Sequence, residues 1–140
     1  HLGRTGRASL RSLLMRSGNV ILYLAGHKHY DRVWPNFRRN GSGFWQVITS
    51  ALAGAPQEAR LVELMDNADG TLSIFTTMLS HAGPAAAPPP GPGSALTPPE
   101  MASISRELSW RRRSGGPRPA SGGGPMRNVE LLVRDPRRRE

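Results

Sequence analysis

The stretch Val20-Ile21-Leu22-Tyr23-Leu24-Ala25-Gly26-His27-Lys28-His29-Tyr30 decides how the chain is read. An unbroken apolar run that ends in Gly reads as a strand reaching a sheet edge. The run does not alternate with polar residues, so burial on both faces is expected. Past that edge, two histidines at i and i+2 set both imidazoles on one side of an extended backbone. Neutral imidazole ligates Zn, Mn and Fe. Gly26 removes a side chain where the backbone turns or an ion approaches closely. The pattern is half of a metal site.

Outward from this stretch, Leu10, Leu13 and Leu14 recur at helical spacing with Arg11 between them, and Ser17-Gly18-Asn19 supplies the stop. Helix, short turn and apolar strand make half of an αβ unit. Residues 31–43 read as a polar, Arg-bearing loop with Pro35 and the turn pair Asn40-Gly41. Residues 43–49 read as the next strand and 51–56 as a small-residue loop. Residues 58–65 alternate charged with apolar, a strand with one wet face. Asn67-Ala68-Asp69-Gly70 is a turn, and 71–79 is the partner strand of an antiparallel hairpin.

Residues 82–99 hold seven prolines and cannot build a packed core. Thr97 caps a helix with Pro98 at its first position and Glu100 at its third, running to about Trp110. Residues 128–133 read as a terminal strand or a helical turn. The expected organisation is a main unit at 1–81, a Pro/Ala-rich linker at 82–99, a short helix at 100–112, a flexible linker at 113–125 and a charged tail at 126–140.

That organisation leaves roughly 80 residues for a core, a size at which a single domain is marginal. There is no cysteine, which excludes disulfides and thiolate metal sites. The longest apolar stretch is too short to cross a bilayer, and no charged-then-apolar signal segment opens the chain. The compartment is left open. The net charge of +9 is uneven: +7 over residues 1–39, −3 over 40–81, −1 over 82–105 and +6 over 106–140. Eighteen of the nineteen cationic residues are Arg, alongside much Ala, Gly and Pro, a bias that GC-rich coding also produces. Nucleic acid is therefore not the expected partner on charge alone.

Gly26-His27-Lys28-His29 resembles the Gly-His-x-His box that closes the motif series of calcineurin-like metallophosphoesterases. Gly43-Phe44-Trp45-Gln46-Val47, Ala55-Pro56-Gln57, Arg60-Leu61-Val62-Glu63-Leu64 and Asp69-Gly70-Thr71-Leu72-Ser73-Ile74-Phe75 are similar to a bacterial, largely actinobacterial subgroup of that superfamily. His81-Ala82-Gly83-Pro84 and Arg127-Asn128-Val129-Glu130-Leu131-Leu132 resemble the tail of that subgroup. The resemblance implies an α/β fold, the C-terminal portion of an αββα sandwich with a Pro/Gly-rich flexible tail. It implies two divalent metal ions, Mn, Fe or Zn, with His27 on one and His29 on the other. It also implies a phosphate-ester substrate attacked in line by metal-activated hydroxide.

The family's Asp-x-His, Gly-Asp-x-x-Asp and Gly-Asn-His-Asp/Glu boxes are not in this sequence. Gly18-Asn19-Val20 lacks the histidine, and Asp31 is not a position the family uses as a ligand. The expectation is a C-terminal part of a phosphoesterase, inactive alone, with no catalytic side chain assigned. The alternatives are a small basic nucleic-acid or anion-binding module and a non-functional gene remnant.

Other residues carry paired readings. Arg38-Arg39 either meet a substrate phosphate or lie in a solvated loop. Pro56-Gln57 either line a pocket or form a plain turn. Phe44 and Trp45 read as core and pocket wall, His81 as a strand-end histidine, and Asp66 and Asp69 as turn residues.

Overall fold

Six strands build two sheets that close on each other. The computed structural model describes residues 4–5, 8–54, 57–81, 93, 95–114 and 126–138. In chain order its elements are β1 (Arg4–Thr5), β2 (Ala8–Ser9), α1 (Leu10–Ser17), β3 (Leu22–Ala25), β4 (Arg32–Phe37), β5 (Gly43–Ile48), β6 (Glu58–Asp66), β7 (Thr71–Ser80), α2 (Pro98–Ser114) and β8 (Val129–Arg134). β1 and β2 form a small antiparallel pair. The first three-stranded sheet has the order β3-β5-β4, with β3 parallel and β4 antiparallel to β5. The second has the order β6-β7-β8 and is antiparallel throughout. The chain is mixed α/β, as expected.

The core lies between these two sheets. Val33 sits opposite Val47 in the first, Ile74 opposite Leu131 in the second, and Val133 completes the buried cluster. Trp45 packs edge-to-face on Phe37, with ring centroids 5.3 Å apart. Its indole N–H donates to the Leu132 carbonyl at 2.7 Å, joining the sheets through a polar contact as well as an apolar one. Phe44, Gln46 and Ile48 alternate onto the opposite face of β5 and are buried there. Helix α1 is tied to that face by Arg11 Nε, which donates to Asn36 Oδ1 at 2.8 Å. Ser9 caps α1 through its hydroxyl, and Gly18 ends it at φ 72°.

Residues 31–43 contain a strand, β4, where the sequence suggested a loop. Val33 and Phe37 pack against the core, and Pro35 is accommodated because β4 pairs on one side only. Gly43 opens β5 at φ 152°, and a Cβ there would fall on the Asn36 carbonyl oxygen. The apolar run also departs from expectation. β3 is an edge strand limited to Leu22–Ala25, and Leu24 is 49% exposed rather than buried on both faces. In β6 the charges Glu58 and Arg60 share the inner face with Val62, while Leu61 and Glu63 face outward. Both inner charges have ion-pair partners, which is what makes their burial tolerable.

Of the segment expected at 128–133 as strand or helical turn, the strand β8 forms over Val129–Arg134, and the hairpin turn is as read. Asp66 Oδ1 accepts the Ala68 amide, and Asp69 Oδ1 accepts the Thr71 amide and hydroxyl. Helix α2 opens as expected, with the Thr97 amide and hydroxyl both donating to Glu100 Oε2. It continues to Ser114, past both the expected end and the 112/113 boundary. Residues 82–92 and 115–125 of the two expected linkers lie outside the described residues.

α2 docks at the C-terminal end of β7. Arg106 Nε donates to His81 Nε2 at 2.9 Å and its Nη2 to the His81 carbonyl at 3.0 Å. Glu58 accepts from Ser80 Oγ and, at 2.8 Å, from Arg127 Nη1. Burial pushes the His81 imidazole below its ordinary 6.5, and the Arg106 charge adds to this. Burial raises the Glu58 carboxyl, but Arg127 and Ser80 outweigh it and hold the group below its ordinary 4.5. Both groups bind fewer protons folded than unfolded, so each contribution to stability is complete above the ordinary value and lost as pH falls below it. Urea melts should therefore show stability falling in two steps, below pH 6.5 and again below pH 4.5. His81→Gln should remove the upper step alone; an upper step that survives the substitution contradicts the assignment.

Candidate functional site

Six strand ends meet at one end of the sandwich: the C-terminal ends of β3, β5 and β7 and the N-terminal ends of β4, β6 and β8. The histidine turn is at this end. The Thr49 amide donates to the Ala25 carbonyl at 2.9 Å, which closes β3 against β5, and the chain then leaves the sheet at Gly26. His27 has φ 76° and His29 has φ 55°. These are left-handed conformations, not the extended backbone from which a shared face was argued. Each costs about 1–3 kcal/mol for a residue with a Cβ and persists only where the surroundings fix it.

The surroundings are specific. Gly54, in the loop after β5, lies so close to His29 that a Cβ on it would fall 2.5 Å from Nδ1. Asp31, directly after the turn, accepts three hydrogen bonds on Oδ1: from the Ser50 amide at 3.0 Å, the Ser50 hydroxyl at 2.9 Å and Arg60 Nη2 at 3.2 Å. The Arg60 and Asp31 side chains are 2% and 11% exposed, so this ion pair is screened little by solvent. Arg60 Nη1 also donates to Thr76 Oγ1 at 2.8 Å and to the Arg127 carbonyl at 3.1 Å. One guanidinium thus links the histidine turn, the middle strand of the second sheet and the entry to β8.

His27 is exposed and His29 half-buried. Among the described residues, no group of three or more His, Cys, Asp or Glu side chains is placed to hold a metal ion. Two imidazoles are the right donors for Mn, Fe or Zn but cannot fill even a four-coordinate shell. Asp31, the nearest carboxylate in sequence, has one oxygen committed to three donors. The residues present therefore do not fit a two-metal centre by themselves.

The other singled-out residues divide between this end and the far one. The Gln57 amide donates to the Gly54 carbonyl at 2.8 Å, and its side chain donates to Ser105 Oγ at 3.0 Å, so its loop joins His29 to α2. Pro56 lies outside the described residues. Arg38 and Arg39 sit in the β4–β5 turn, the length of a six-residue strand or about 20 Å from the histidines. Arg38 donates there to the Met15 carbonyl at the end of α1. Phe44 and Trp45 face opposite sides of β5 as packing residues. Two clefts also open away from the turn, one of about 680 Å³ beside Phe37, Asp69 and Arg138 and one of about 420 Å³ beside Ile21, Leu64 and Pro136.

The sequence reading missed Asp31, Arg60 and Gly54 as parts of the site. The phase of Arg60 with Val62, which packs against the core, was the available signal for Arg60.

The fold and site define a two-sheet α/β protein with a strained histidine turn at a strand end. No known protein family, curated protein or solved structure matches the chain. No helix among the described residues is long and apolar enough to cross a membrane.

Gly54→Ala should displace the His29 ring while leaving His27 in place. Imidazole resonances in two-dimensional NMR should move for His29 alone; unmoved His29 signals would contradict the packing described.

Proposed function

We propose that this chain is the C-terminal portion of a calcineurin-like metallophosphoesterase and that its two sheets are part of an αββα sandwich. The observation that carries the reading is the pair of left-handed histidines, two residues apart, in a Gly-His-x-His turn at the end of a parallel strand. Strained non-glycine backbone clusters at active sites and ligand clamps. A buried ion pair beneath the turn and a glycine against the His29 ring are consistent with two imidazoles held for a ligand. In this reading His27 and His29 each belong to a different metal ion, and the remaining ligands and the phosphate-ester site come from other polypeptide. The whole site acts on phosphate esters; this chain alone does not.

The arginines weigh against the basic-module alternative. Arg60, Arg106 and Arg127 are at least half-buried and donate to groups of this protein, and the exposed Arg11, Arg38 and Arg137 are also engaged in hydrogen bonds within it.

Titration with Mn²⁺ or Zn²⁺ should give weak uptake that His27→Ala and His29→Ala each reduce and the double substitution abolishes, with no nitrophenol released from bis-nitrophenyl phosphate. Uptake indifferent to both substitutions contradicts the reading. So does duplex DNA binding that collapses steeply with added salt, the mark of phosphate-backbone contacts. Turnover that His27→Ala abolishes would overturn the claim of inactivity.

A further inference from the structure

We infer that Arg60 is a positioning residue for the histidine turn, coupling its left-handed backbone to the docking of the segment that leads into β8. The Proposed function supplies the reason the turn matters; the coupling itself requires no metal.

Asp31 is two residues from His29, and its Oδ1 is fixed from two directions. Ser50 holds it from within the first sheet, and Arg60 holds it from the second. The other arm of the guanidinium is set by Thr76 Oγ1 and by the carbonyls of Met126 and Arg127. Those carbonyls belong to a segment 66 and 67 residues away in sequence. The segment has its own anchors: Asn128 Oδ1 accepts the Met78 amide at 2.9 Å, and the Arg127 side chain pairs with buried Glu58. Its carbonyls therefore lie at a fixed depth, and they fix the plane of the Arg60 guanidinium in turn. A planar group with donors on both arms transmits that setting to Asp31, which a single-point cation does not. With Asp31 held, the chain between Ala25 and Asp31 must return to a defined point in five residues. The positive φ values at His27 and His29 are part of that return.

The coupling is reciprocal: loosening either end loosens the other. The test compares Arg60→Gln and Asp31→Asn with Asp135→Asn, which weakens the far end of β8 without touching Arg60. The first readout is the strong intraresidue amide-to-Hα NOE that a positive φ produces at His27 and His29. The second is amide exchange at Asn128 and Val129. Arg60→Gln should weaken both NOEs. Asp31→Asn should weaken them too and should speed exchange at Asn128 and Val129 about 5-fold or more. Asp135→Asn should leave the NOEs intact. If Arg60→Gln does not fold, Asp31→Asn alone decides through the exchange at the distant segment. NOEs unchanged in both test variants overturn the inference, as does equal weakening in Asp135→Asn, because that reports general loosening. Failure of Mn²⁺ uptake in the unmodified chain bears on the phosphoesterase reading alone.

Discussion

A buried guanidinium must find partners for nearly all its donors, and Arg60 does so by drawing three parts of the chain to one point. Its arms reach Asp31 below the histidine turn, Thr76 in the middle of the second sheet and the carbonyls ahead of β8. Its Nε is buried without a partner among the described residues. Such a group destabilises wherever it is not paired, and removing one partner of a buried pair costs about 3–5 kcal/mol. The interaction therefore selects one arrangement of the two sheets more than it adds stability. An apolar residue in its place would be compatible with a looser join between the sheets.

The two ends of the sandwich are held differently. At the hairpin tip, Asp135 is buried and gripped by Arg137, whose Nη2 also reaches Asp66 at 2.6 Å. The Asp135 amide donates to the Gly70 carbonyl, which fastens the end of β8 to the turn. That staple ties the second sheet to itself, from β8 back to the end of β6. At the histidine end Glu58 and Arg127 likewise tie the second sheet to itself, whereas Asp31 and Arg60 join one sheet to the other. Of the four non-glycine residues with a left-handed backbone among the described residues, His27, His29 and Gln57 lie at the histidine end and Ala68 lies in the hairpin turn.

Much of the secondary structure was legible because local rules governed it. The stop of α1 at Gly18, the Thr97–Glu100 cap and the Asp66–Gly70 turn all depend on residues a few positions apart. β4 was obscured by Pro35 and the charges around it, since the edge position that excuses a proline is a tertiary fact. The exposure of Leu24 depends on which strands flank β3, and a run of apolar residues carries no information on that. His27 and His29 stood out as a pair of ligand-type residues, but their left-handed backbone did not. Arg60 was read as part of a wet face because alternation reports polarity, whereas its burial depends on Asp31, twenty-nine residues earlier.

The most direct test of the account is a double-mutant cycle on Asp31 and Arg60, using Asp31→Asn, Arg60→Gln and the pair, with unfolding free energies from urea melts. A coupling of about 1 kcal/mol or more is expected, with the double variant much less damaged than the two single losses together imply. Additivity within about 0.5 kcal/mol would mean that the two side chains act independently and would contradict it.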